Sequence, residues 1–148
     1  LILNEYETIY IARPDLTDDL MTKITTHFEG VITNNQGVIL VAEDWGKRKL
    51  AYTISKHQRG HYIYLNYVGP AAIVSEVERT LGLEDQLLRF LTVKLEDGVE
   101  VEARRAVAEE RRRLRAERMA ALKAEEEAEA RYRAEAEEAE DDGVESDD

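Results

Sequence analysis

The chain contains no cysteine. That excludes a disulfide framework, a thiolate zinc site and a cysteine nucleophile, and it fits a reducing compartment. No apolar run approaches the roughly 20 residues that cross a bilayer. Leu1-Ile2-Leu3 is too short to be the apolar region of a secretory signal. The expectation is a soluble, cytoplasmic protein with no membrane partner. Proline is scarce, and its two occurrences, Pro14 and Pro70, fall where the pattern changes. Catalytic signatures are missing as well. There is no Gly-x-Gly-x-x-Gly, no phosphate loop ending in Lys-Ser or Lys-Thr, and no Gly-x-Ser-x-Gly. The histidines are His27, His57 and His61. His27 reads as a helix packing or surface residue. His57 and His61 flank Gly60 with no third ligand evident, so no metal site is assigned. Carboxylate pairs such as Glu5/Glu7 and Glu84/Asp85 read as solvated surface charge.

What is present is charge, unevenly placed. The formal net charge of −12 argues at first against a nucleic-acid partner. Yet no acidic residue lies between Asp44 and Glu76, and that stretch holds Lys47, Arg48, Lys49, Lys56 and Arg59. From Glu125 to Asp148 the sign reverses, with only Arg131 and Arg133 against many carboxylates. A local basic patch binds phosphate even on an acidic molecule.

Residues 5–12 are rich in β-branched and aromatic types and predict a strand, ended by Pro14 and Asp15. Asp15 or Thr17 caps the next helix, whose face carries Leu20, Ile24, Phe28 and Val31. Asn34, Asn35 and Gly37 stop it. Val38 to Ala42 begin a second strand that continues past Trp45, and His61 to Val68 form a third. Pro70 suits the first turn of a second helix striped by Ile73, Val77 and Leu81 and ended by Gly82. Leu87 to Leu95 form a fourth strand, closed by Asp97-Gly98. The order β-α-β-β-α-β predicts an α+β, ferredoxin-like domain over residues 1–98, with a four-stranded antiparallel sheet covered by two helices on one face.

Both faces of the strands are apolar. Ile9 and Ile11 alternate with Tyr6 and Tyr10, and Ile63 and Leu65 with Tyr62 and Tyr64. A sheet covered on one face shows a polar outer face, so the uncovered face or an edge is expected to meet a partner. Residues 99–148 form a charged tail rich in Ala, Glu and Arg. Its large apolar residues, Val107, Leu114, Met119 and Leu122, are too few for a second core. It predicts a solvated helix fraying into a disordered end, Asp141 to Asp148. Without core contacts to the tail, a chain ending near Val101 should fold with nearly unchanged stability. Residues 104–118 hold seven arginines against three glutamates.

The segment from Trp45 to Tyr62 interleaves cations with Trp45, Tyr52 and Tyr62, a pattern suited to phosphates and unpaired bases. Within it lies Trp45-Gly46-Lys47-Arg48-Lys49-Leu50-Ala51-Tyr52-Thr53-Ile54, followed by Lys56 and Gly60-His61-Tyr62. Tyr6-Glu7 and Ala12-Arg13-Pro14-Asp15 precede it, and Leu88-Arg89-Phe90-Leu91-Thr92-Val93-Lys94 follows. With these blocks the chain, over about residues 4–96, resembles the family of the sixth protein of the bacterial small ribosomal subunit. The resemblance implies a ferredoxin-like fold with no catalytic activity and no cofactor, ribosome-bound in the cytoplasm. It implies binding to the central domain of small-subunit ribosomal RNA beside the eighteenth small-subunit protein. By the same resemblance, Arg48, Tyr52, Lys56, Arg89 and Lys94 are the expected RNA or partner contacts, with Tyr6 a further candidate. The acid-free stretch itself adds Lys47 and Lys49 as phosphate-binding residues.

Three other readings compete. An acyl-phosphate hydrolase of the same fold needs an Arg-and-Asn phosphate site after the first strand, but Arg13 is followed by Pro14 and no glycine-rich loop. A small-molecule regulatory module would bind its ligand at a dimer interface. A free-standing single-strand RNA binder would display stacking aromatics on the central strands, which Tyr62 and Tyr64 only partly match.

Overall fold

The computed structural model describes residues 2–144. Seven elements follow in order: β1 (Asn4–Ala12), α1 (Asp18–Asn34), β2 (Val38–Ile54), β3 (His57–Gly69), α2 (Ile73–Leu83), β4 (Leu87–Glu96) and α3 (Val101–Val144). The strands form one antiparallel sheet in the order β2-β3-β1-β4. This is the expected ferredoxin-like α+β architecture, with the two halves interleaved so that β1 and β3 are central.

The core lies between one sheet face and the helices α1 and α2. Thr17 caps α1, its hydroxyl accepting from the Leu20 N–H at 3.3 Å, and Asp18 and Asp19 complement the positive end of the helix. Met21, Ile24, Phe28 and Ile32 form the buried stripe of α1, one step round from the expected face, so that Leu20 and Val31 flank the core. Helix α2 buries Ile73, Val77 and Leu81 as expected. Its ends differ from the expectation. Pro70 precedes the helix in a turn, its carbonyl accepting from the Ile73 N–H at 2.9 Å, and Gly82 lies inside the last turn. From the sheet come Tyr6, Tyr10 and Ala12 of β1 and Ile63, Leu65 and Tyr67 of β3. Cross-strand partners share a face, and the register Tyr6↔Tyr67, Thr8↔Leu65, Tyr10↔Ile63 brings these sets together. Thr8, fully buried between strands, bonds the hydroxyls of Tyr67 and Thr92, each at 2.8 Å.

The other sheet face is not bare. After β4, the Gly98 N–H donates to the Asn4 side chain at 3.0 Å and the Val99 N–H to the Leu3 carbonyl at 2.8 Å. These bonds return the chain to the start of β1, and α3 begins against the second face. Arg104 Nε lies 2.6 Å from Glu5, a carboxylate with no exposed surface. Asn66 donates a further bond to Glu5 at 3.2 Å. One turn on, Ala108 is buried against Val41 and Tyr64, with Ile9, Leu40 and Trp45 around them.

Two expectations about the tail are thereby corrected. The chain divides into a unit ending at Glu109 and one beginning at Glu110, so the sheet domain does not close at Gly98. The tail does have contacts that hold its first turns, because a buried carboxylate on β1 needs a cation and α3 supplies it. The second unit is the helical stretch from Glu110 to Val144, where Leu114, Leu122 and Tyr132 are exposed. The expected disordered end is helical as far as Val144; its residues 145–148 lie outside the described residues.

Candidate nucleic-acid interface

β1 pairs with β3 only from His61 to Gly69, whereas β2 and β3 run on together to the turn at Ser55-Lys56. The hairpin therefore extends beyond the sheet body as an arm, and the acid-free stretch of sequence builds it. The Asp44 carboxylate shapes its base, accepting from the Gly46 N–H at 2.7 Å while Gly46 takes φ +78° at a break in register. His61 lies 2.6 Å from the same carboxylate, so it is part of a structural pair.

The arm is packed down at Gly60. Gly60 is buried against Ile11 and Leu50, and a Cβ there would stand 2.3 Å from the Ile11 Cγ2. Ile11 is β-branched and cannot easily turn aside. Gly60→Ala should therefore destabilise the fold by about 1–3 kcal/mol, read by urea denaturation. A variant as stable as the parent would show that the arm is loosely seated.

Lys47, Lys49 and Lys56 are exposed, and none has an ion-pair partner among the described residues. Arg48 is half-buried. Its Nε donates to the Trp45 carbonyl at 3.2 Å, and its guanidinium lies 5.9 Å from the Trp45 ring centre. Trp45 in turn stacks on Tyr64 with ring centres 5.0 Å apart and donates to Glu43 at 2.8 Å. Of the three aromatics interleaved with cations, Trp45 is thus engaged in packing and Tyr62 is half-buried, while Tyr52 is exposed. Arg89 comes from β4 to join the arm. Its guanidinium lies 5.3 Å over the Tyr52 ring and donates to the Tyr52 hydroxyl.

Two expected residues stand elsewhere. Tyr6 is only 4% exposed, packed on Tyr67 in the main core with its hydroxyl accepting from Asn4 at 3.1 Å. It is a core residue and cannot serve as an RNA or partner contact in this fold. Alternation marks two faces of a strand but not which one the helices cover, and both faces of β1 are apolar. Lys94 is exposed but lies five residues along β4 from Arg89, about 17 Å at strand rise. It pairs with Asp97 at 3.0 Å, and that carboxylate holds its ammonium above the usual lysine range.

The residues sequence reasoning missed are Glu5, Asn66 and Arg104, which fix α3 to the sheet. The available signal was a glutamate inside a strand of apolar and aromatic residues; the structure leaves it with no exposed surface. No group of three or more acidic or histidine side chains among the described residues is placed to hold a metal ion. No helix among them is long and apolar enough to cross a membrane. Tyr64, which a sheet-face single-strand binder would display, is buried beneath Trp45.

Fold and arm together define a ferredoxin-like domain that carries a cationic hairpin beyond its sheet. A family model described as Ribosomal protein S6 matches residues 5–94. The chain belongs to the ribosomal protein S6 family, whose members are structural and not enzymatic. Among curated relatives, the small ribosomal subunit protein bS6 of Desulforapulum autotrophicum is 40% identical over 98 residues, covering 66% of this chain and 63% of that protein. The chain thus matches less than two thirds of that relative's length. The protein of the same name from Geotalea uraniireducens is 46% identical over 98 residues, covering 66% of this chain and 77% of the relative. The crystal structure of 30S ribosomal protein S6 from Thermotoga maritima superposes with a TM-score of 0.61 at 22% identity. That match covers 63% of this chain and 88% of the other, and it concerns the fold alone.

Proposed function

We propose that this chain is a structural constituent of the small ribosomal subunit in the bacterial cytoplasm. Its arm binds the central domain of small-subunit ribosomal RNA, and it does so together with the eighteenth small-subunit protein. The observation that carries the reading is the arm itself, where Lys47, Lys49 and Lys56 stand exposed, without carboxylate partners among the described residues, on a hairpin that leaves the sheet. Lysines placed in this way neutralise phosphates and release condensed counterions. They position the protein, and RNA shape supplies specificity. The curated relatives carry the name small ribosomal subunit protein, which supports the same assignment.

The protein partner is supported by β4. It is an edge strand of the sheet, and Leu91 and Val93 are exposed on it. An exposed edge with apolar side chains is a surface for another chain. When two proteins share one RNA, each raises the other's effective concentration at the site. The expected result is that the eighteenth protein binds this chain weakly alone and much more tightly with the RNA junction present, with the enhancement equal in both directions. Titration calorimetry in both orders of addition measures it. Equal affinity with and without RNA would remove the cooperative mechanism.

A further inference from the structure

The tip of the arm is bent. Between the pairs Lys49↔Arg59 and Ile54↔His57 the register shifts, so that Leu50 to Thr53 of β2 stand opposite Gln58 alone. A surplus of residues on one strand curls a hairpin and re-aims its side chains. Leu50 turns inward and is buried beside Gly60. Tyr52 turns toward β4, at the opposite edge of the sheet, and meets Arg89 there. Tyr52 remains 59% exposed and belongs to neither core cluster. A cation orients it, and burial does not. Beside it is a hollow of about 260 Å³, lined by Lys49, Leu50, Ala51, Tyr52, Thr53 and Gln58, with no acidic side chain among them. The turn beyond presents Lys56 at φ +69° after Ser55 at φ +49°, left-handed conformations that side-chain-bearing residues adopt at a cost. An Asn-Gly pair would relieve that cost but carry no charge at the tip.

We infer that Tyr52 and Arg89 form a stacking platform for one unpaired base of the bound RNA, with Arg89 and Lys56 neutralising the phosphates on either side. The inference rests on the reading of the arm as an RNA-binding surface and names what its tip recognises. An oriented, exposed ring accepts any base by its π face. Arg89 shares the stack because its planar guanidinium packs on an aromatic ring while its remaining N–H groups stay available to phosphate. The basic, acid-free lining suits an anionic ligand, and the exposed ring beside it suits a nucleotide, which brings a base together with its phosphate.

The test uses the full chain and a central-domain fragment of small-subunit ribosomal RNA, with Kd measured across a salt series. Stacking releases no counterion, so Tyr52→Leu should raise Kd about tenfold or more at every salt concentration while leaving the salt slope unchanged. Tyr52→Phe keeps the ring and should stay within a few-fold of the parent. Arg89→Lys keeps the charge but loses the planar stack, and should weaken binding with the slope again unchanged. Wild-type affinity in Tyr52→Leu, with binding still lost in lysine variants of the arm, would overturn the platform and leave the arm's role intact. A loss in Tyr52→Leu seen only when the eighteenth protein is present would assign the ring to a protein contact and overturn the inference. If the wild-type chain does not bind the fragment at any salt concentration even with the eighteenth protein present, both the platform and the arm reading fall.

Discussion

Arg104→Ala is expected to lower the stability of the sheet domain by about 3 kcal/mol or more, the cost of removing one partner from a buried ion pair. Glu5 has no exposed surface, and Arg104 Nε approaches it to 2.6 Å. The Asn66 amide also donates to Glu5 at 3.2 Å, but a dipole does not replace a charge in a low-dielectric site. Glu5→Gln in the Arg104→Ala background removes the charge that needs compensation, and should recover a large part of the loss. A double-mutant cycle by urea denaturation measures the coupling directly. Ending the chain at Gly98 should cost at least as much, since it also uncovers Val41 and Tyr64 where Ala108 is packed. A truncated chain of parental stability, or a coupling near zero, would show that α3 rests on the sheet without holding it.

The second large effect is expected at the arm. Lys47, Lys49 and Lys56 are the appropriate residues to change, because their side chains show no ion pair among the described residues. Arg48 is a less clean target, since its guanidinium packs on Trp45 and a long cationic stem contributes burial as well as charge. Changing the three lysines together to Gln should leave circular dichroism and the unfolding midpoint close to the parent. Affinity for the central-domain RNA should fall by roughly tenfold or more near physiological salt. The magnitude of the log–log salt slope should fall by about 0.7–0.9 for each phosphate contact removed. Lys94→Gln serves as the contrast, because Lys94 is already paired with Asp97 and stands at the far end of β4. An unaltered slope in the triple variant would mean that the arm does not touch phosphate.

Much of this molecule was legible in the chain. The element order followed from period-two and period-3.6 patterns separated by Pro14, Gly37, Pro70 and Gly98, and each pattern named residues that do pack together. The basic segment was legible because charge needs no fold to be counted. Tyr6 was misplaced for a reason of symmetry. With apolar residues on both faces of β1, sequence alone could not say which face α1 and α2 would cover, and they cover the one carrying Tyr6 and Tyr10. The same double-faced pattern did signal that the second face meets something. Part of the cover proved to be the chain's own α3, anchored by an ion pair between residues 99 positions apart and by one alanine. Neither leaves a periodic trace. The meeting of Tyr52 with Arg89 across the width of the sheet was equally hidden, because it depends on an irregular register at the arm's tip.

A component of the small ribosomal subunit that is held there through its basic arm should travel with ribosomal particles only while the arm keeps its charge. The most direct measurement is sedimentation of the tagged full chain with ribosomal particles, beside the variant in which Lys47, Lys49 and Lys56 are replaced by Gln. The wild-type chain should travel with small subunits at near-stoichiometric level, and the variant should be depleted from them and enriched at the top of the gradient. A wild-type chain found only in the soluble fraction would contradict the assignment, and a variant retained as fully as the parent would contradict the role of the arm.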